Sequence, residues 1–247
     1  MPPLPPTAWI TTSWDDGHPL DMRLAEMLHR HNLKATFYIP RAIPSGVMTE
    51  SQVRELSQSF EIGGHTLDHL FLSTIPDAAA KIQISGCKRW VEDTTGKPCQ
   101  MFCPPAGRFN EAHRAMMVEA KFVGFRSVEL LSTACPSRSS GLLEMPTSLQ
   151  SYPHPSMDYF KNAIKRKSWG SLVRFALRGA PSNWEKLAEC LLQSVLKHGG
   201  VFHLWGHSWE IEQTGQWDAL SRVLAVLGRF SGDARIATNA DICQAFA

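Results

Sequence analysis

The chain has 247 residues, 43% hydrophobic and 19% charged, with 25 Lys and Arg against 23 Asp and Glu. That length suits one large α/β domain or two small ones, and the ordinary apolar share excludes general disorder. A net charge of +2 makes no electrostatic case for nucleic acid as partner, and no stretch approaches the roughly 20 apolar residues that span a bilayer.

Residues 1–8 form a Pro-rich arm ahead of a single domain expected over 9–247. The start, Met1-Pro2-Pro3-Leu4-Pro5-Pro6-Thr7, lacks the basic and apolar regions of a signal peptide. The six cysteines are scattered without a C-x-x-C pair, so a cytoplasmic protein with reduced thiols is the expectation.

From Trp9 to Trp14 the chain is β-rich and runs into Asp15-Asp16-Gly17, a turn signal. Leu20, Leu24, Met27, Leu28 and His31 then fall at helical spacing behind Pro19. A strand over 35–39, a helix over 49–57 capped by Thr49 and a strand over 61–64 follow. The alternation continues with a helix over 78–93, a strand over 101–103, a helix over 111–121 and short strands over 122–128 and 142–146. Residues 184–197 make a helix ended by Gly199-Gly200, and 201–205 make a strand. After them come a helix over 217–230, a strand over 234–237 and a last helix capped by Asn239. Strands alternating with helices throughout predict a parallel sheet, open or closed into a barrel.

The segment 148–181 departs from this pattern. It carries Lys161, Lys165, Arg166, Lys167, Arg174 and Arg178, with no acid between Tyr159 and Asn183. A solvated basic helix is the plainer reading; a cover over a site that prefers anions is the other.

Three clusters sit at predicted strand ends, where α/β proteins gather their active sites. Asp15 and Asp16 can meet at one point only if the backbone turns, which Gly17 permits. His65 and His69 share one face if their stretch is helical, the spacing by which two imidazoles reach one metal. His203 lies within a strand and reads as a hydrogen-bonded core histidine, whereas His207, past the strand end, is the better catalytic candidate. The nearby tryptophans line a sugar-stacking wall or fill core. Together these residues suit a mononuclear His₂-carboxylate site with a spare base and a spare acid.

Thr12 to Gly17, His65-Thr66-Leu67-Asp68-His69, Pro104-Pro105-Ala106-Gly107 and Leu204-Trp205-Gly206-His207 resemble the ordered motifs of polysaccharide deacetylases with the NodB homology domain, carbohydrate esterase family 4. The resemblance implies a distorted (β/α) barrel holding one divalent metal ion on Asp16, His65 and His69. Zinc is the first choice, with cobalt, nickel or manganese as alternatives. It implies Asp15 as general base, His207 as general acid and a backbone oxyanion donor at Ala106. Pro105, Leu204 and Trp205 are expected to contact substrate.

Cys103 stands where many members carry an arginine that orients the catalytic aspartate, which makes Arg108 or Arg126 a candidate replacement. The family's Asp-Trp motif is not evident near residues 125–129. The expected reaction is hydrolysis of an N-acyl, chiefly acetyl, group from a sugar or polysaccharide. A small phosphate-bearing sugar would suit the basic segment. Cleavage of a formamide or ureide C–N bond is the alternative, as is a metal- or carbohydrate-binding relative without turnover. The oligomeric state is left open.

Overall fold

A computed structural model describes residues 7–165 and 183–247. Residues 1–6, most of the expected 1–8 arm, and most of the basic run, from 166 to 182, lie outside the described residues; Ala8, expected in the arm, already begins the first strand. Five strands follow one another as predicted: β1 (Ala8–Asp15), β2 (Ala35–Ile39), β3 (Glu61–Gly64), β4 (Met101–Phe102) and β5 (Gly124–Arg126). All pair in parallel with their neighbours. Between them lie helices α1 (Asp21–Arg30), α2 (Glu50–Leu56), α3 (Asp77–Thr95) and α4 (Glu111–Glu119). Local chemistry sets several of these boundaries. Thr49 caps α2 in a reciprocal box with Gln52, and Gly96 ends α3 in the left-handed conformation. The predicted strand over 122–128 shrinks to three residues.

Closure of the sheet rests on residues 142–150. Strand β6 (Ser137–Ser139) folds back antiparallel onto β7 (Leu142–Met145), and β7 pairs with β5. After three intervening residues the same segment, now β8 (Leu149–Gln150), pairs with β9 (Gly200–Gly206). The bridging residues are tied on both sides, Ser127 N–H to the Met145 carbonyl at 3.0 Å and Ser148 N–H to the His203 carbonyl at 3.0 Å. Because β9 pairs with β1, the strands close into a distorted (β/α) barrel.

Helix α5 (Ser156–Lys165) follows β8, and α6 (Trp184–His198) leads into β9. Beyond β9 come α7 (Ser208–Gln213), α8 (Trp217–Arg229), β10 (Arg235–Ile236) and α9 (Asn239–Ala245). Thr238, rather than the expected Asn239, caps α9. The main core, with Ile10, Leu28, Phe37 and Leu224, fills the layer between strands and helices. A second cluster unites Tyr38, Met101, Cys103 and Val201 with Ala240, Ile242 and Cys243, so α9 plugs the amino-terminal end of the barrel. Among the described residues no helix is long and apolar enough to cross a membrane.

Candidate active site

The turn after β1 brings two adjacent carboxylates into one space. Asp16 (φ +78°) and Gly17 (φ +61°) are both left-handed, which reverses the chain at the strand end. A side chain on Gly17 would also collide with Ile39. Met48 N–H donates to the Gly17 carbonyl at 2.8 Å and fixes the turn.

Residues 65–69 are an irregular loop, not the helical turn their spacing suggested. Thr66 (φ +57°) and His69 (φ +54°) coil it, and this coil brings the imidazoles within 5.0 Å of each other. The Nε2 atoms of His65 and His69 lie 3.4 Å and 3.0 Å from Asp16 Oδ1, a buried oxygen with no hydrogen-bond donor. His65 Nδ1–H donates to the Cys103 carbonyl at 2.7 Å, since a carbonyl can only accept. The His65 Nε2 lone pair therefore faces a carboxylate oxygen, and an acceptor facing an acceptor requires a cation or a second proton between them. Trp209 Nε1 donates to Asp16 Oδ2 at 2.9 Å, steering Oδ1 toward the histidines. Burial works to raise the Asp16 carboxyl, but the His65 and His69 imidazoles facing Oδ1 and the positive charge of His207 hold it far below its ordinary range.

Asp15 is met by Arg126 from β5, whose guanidinium Nη2 donates to Oδ2. Arg126 is 0% exposed, lies across the Trp205 ring at 4.6 Å, and stays charged despite burial because Asp15 faces it. Of the two candidate replacements for the missing arginine, Arg126 makes the contact; Arg108 lies on the rim. The second carboxylate oxygen, Oδ1, is buried without a donor. Cys103 Sγ is 4.0 Å from Oδ2. Its thiol is pushed well above its usual range by burial, so the side chain is a neutral packed group. Asp15, His65 and Cys103 form a second possible ligand set within 4.8 Å, but Arg126 already occupies one Asp15 oxygen.

His207 follows the end of β9. Its Nε2 is 3.9 Å from Asp15 Oδ2 and 3.8 Å from Asp16 Oδ2, and its Nδ1 bonds Glu210 Oε2 at 2.5 Å. Burial would lower this imidazolium, but the Glu210 bond and the carboxylates of Asp15 and Asp16 outweigh it and push it up to about 9. Glu210 is the residue sequence reasoning missed. It sits three positions past His207, one turn into α7, and Gln150 on β8 donates to the same Oε2 at 2.9 Å. A side chain on Gly206 would collide with Ser151, which keeps that strand end tight against β8.

His203 is the core histidine expected. Nδ1–H donates to the Pro146 carbonyl at 2.9 Å, Nε2 accepts from Ser13 at 2.8 Å, and burial pushes the ring down to about 3. Ala106 is exposed at φ +54° on a proline-stiffened loop, above the buried Pro105. Leu204 and Trp205 both join the main core; Leu204 has no exposed surface, whereas Trp205 is 7% exposed. A cleft of about 270 Å³, walled by Ala106, Val128, Leu130, Gln150, His154 and Trp205, adjoins the site.

A distorted (β/α) barrel with paired aspartates, two histidines and a late histidine at its strand ends has the architecture of a deacetylase barrel. Residues 5–125, just under half of the chain, match the model of the family described as polysaccharide deacetylase. It is 29% identical over 122 residues, 48% of this chain, to a peptidoglycan-N-acetylglucosamine deacetylase of Bacillus cereus; the match spans 54% of that relative's length. Among solved structures, a Mycobacterium smegmatis protein assigned as a polysaccharide deacetylase superposes with a TM-score of 0.70 at 15% identity, over 98% of this chain and 91% of that one. A family 4 carbohydrate esterase from Streptomyces lividans, in complex with acetate, superposes at 0.54 and 16% identity over 90% of each chain. A family 4 pseudoenzyme, a mutant with restored enzymatic activity, superposes at 0.56 and 16% identity, over 97% of this chain and 68% of that one.

Proposed function

We propose that residues 9–247 act as one catalytic domain, a metal-dependent hydrolase that removes an N-acetyl group from an amino sugar or its polymer. The observation that carries this reading is the orphaned Asp16 Oδ1 faced by the Nε2 atoms of His65 and His69. Two imidazoles and one carboxylate are the donor set of a hydrolytic zinc site with a position left for water. A divalent ion there would polarise the acyl carbonyl and acidify water.

Asp15 takes the proton of the attacking water on its donor-free oxygen, while Arg126 holds the other. His207 carries its catalytic proton on Nε2, because Nδ1–H is committed to Glu210. From Nε2, which faces both carboxylates, it protonates the departing amine, a group that leaves poorly without that proton. The Ala106 backbone N–H would help stabilise the oxyanion, a role indifferent to the loss of a larger side chain there. The relation to the Bacillus cereus deacetylase supports N-acetylglucosamine as the sugar.

The test joins metal content with acetate release from N-acetylated sugars, for the wild type and for Asp15→Ala and His65→Ala. One metal per chain, lost in His65→Ala and kept in an inactive Asp15→Ala, is the expected result. Metal retained with no turnover on any N-acyl sugar would mark a binding protein, and no metal at all would overturn the reading.

A further inference from the structure

Two arginines stand on the rim beside the His65–His69 loop, and they differ in one respect. Arg41 is engaged, with Nη2 donating to Asp68 Oδ1 at 2.6 Å. Arg108 has no carboxylate within 4.0 Å among the described residues. Its guanidinium lies instead over the ring of Phe71, 4.9 Å from the centroid, and Phe71 meets the His69 ring edge-on at 6.2 Å. Two ring contacts therefore link this cation to a proposed metal ligand.

The loop that carries Arg108 is stiff. Pro104 and Pro105 restrict it, Gly107 N–H donates to the Pro104 carbonyl at 2.9 Å, and Arg108 N–H donates to the Pro105 carbonyl at 3.2 Å. Ala106, two residues earlier on the same loop, is exposed and carries only a methyl group. Stacking on Phe71 covers one face of the guanidinium and leaves its edge donors for a ligand. An exposed, mobile arginine gains little from an ion pair because it must be ordered first; here the stacking and the stiff loop have already ordered it.

We propose that Arg108 binds an anionic substituent, a carboxylate or a phosphate, of the sugar whose N-acyl group lies at the metal site, so that the substrate class is an acidic amino sugar. This rests on the deacylase reading above. A planar guanidinium edge accepts either anion through two parallel N–H···O bonds.

The experiment compares kcat/KM for three N-acetylglucosamine derivatives: the neutral methyl glycoside, a sugar phosphate and a 3-O-carboxyalkyl ether. They are assayed with the wild type, Arg108→Gln and Arg108→Lys. The wild type is expected to favour one anionic sugar by about tenfold or more, chiefly through KM. Arg108→Gln should reduce the anionic-to-neutral ratio by about tenfold, Arg108→Lys should restore part of it, and added salt should erode it in the wild type. Whichever anion shows the effect separates phosphate from carboxylate. A wild-type ratio near one, or a ratio that Arg108→Gln does not change, would overturn the proposal. So would an equal loss on all three sugars, which would mean that Arg108 only supports the loop. Equilibrium binding of the same sugars to wild type and Arg108→Gln provides a readout independent of turnover. There a charge preference without hydrolysis would sink the deacylase reading and leave the recognition standing.

Discussion

Both ends of the barrel enclose a carboxylate, but they treat it in opposite ways. At the carboxyl ends of the strands, Asp15 meets Arg126, and Asp16 meets His65 and His69, with one oxygen of each acid left without a donor. At the amino ends, Glu61 Oε2 accepts only from neutral groups, Thr36 Oγ1 at 2.6 Å and the Ala240 N–H at 3.1 Å, while Oε1 is likewise buried without a donor. Asn239 completes that floor, bonding Thr36, Tyr38 and Thr11. Enclosure pushes Glu61 up to about 7, whereas cationic neighbours drive Asp16 down against the same effect. Burial of an acid, even with one oxygen lacking a donor, is thus not by itself a sign of chemistry; the charge of its partners is.

The largest effect should come from separating charge at the mouth. Asp15→Asn is expected to lower kcat by about 10²- to 10⁴-fold, as loss of a general base does. Arg126→Met should be less stable by about 3–5 kcal/mol, because it strands a buried carboxylate. The double variant Asp15→Asn/Arg126→Met should regain most of that stability and none of the activity. Denaturant midpoints with initial rates check both, and additive stability losses in the double variant would break the claimed pairing.

At the floor the expected signature is a pH slope without a rate effect. Glu61 holds its proton up to about 7 when folded, against an ordinary 4.5, with Asp241 and Tyr38 its nearest ionisable neighbours. Its contribution is full below pH 4.5 and is lost as pH rises to 7, a difference of at most about 3 kcal/mol. Glu61→Gln, which mimics the protonated acid, should lose this slope and match or exceed the wild-type melting temperature at pH 8. A parallel pH profile for variant and wild type would refute the assignment.

A smaller effect is expected at Glu210, which orients rather than reacts. Glu210→Gln should slow amide hydrolysis by about 10- to 100-fold while largely sparing activated esters, whose leaving groups need no proton. Equal losses on both substrate types would reduce Glu210 to packing. Smallest of all, Thr238→Ala removes the cap of α9 and should lower stability by about 1 kcal/mol with no change in kcat, measured by thermal unfolding and initial rates.

The alternation of strands and helices, the turn at Asp15-Asp16-Gly17 and the core role of His203 follow from the sequence by itself. Each depends on neighbours in the chain, through periodicity, turn chemistry or position within a strand. The residue types of the Asp16–His65–His69 cluster were legible for the same reason, although the loop that joins the histidines is not helical. Tertiary structure alone decided the rest. Arg126 reaches Asp15 across 111 residues and from four strands away in the sheet, because β5 and β1 face into the same barrel. Residues 142–150 close the sheet by changing partners midway, which no periodicity announces. Glu210 stands only three residues from His207, but α7 is six residues long, too short for a helical pattern to show. Leu204 and Trp205 are adjacent and both buried in the core, but only Trp205 lies against Arg126 and borders the cleft. Chemistry that a few consecutive residues can hold is written in the chain, whereas the counter-charges that tune it arrive from strands and helices that only folding brings together.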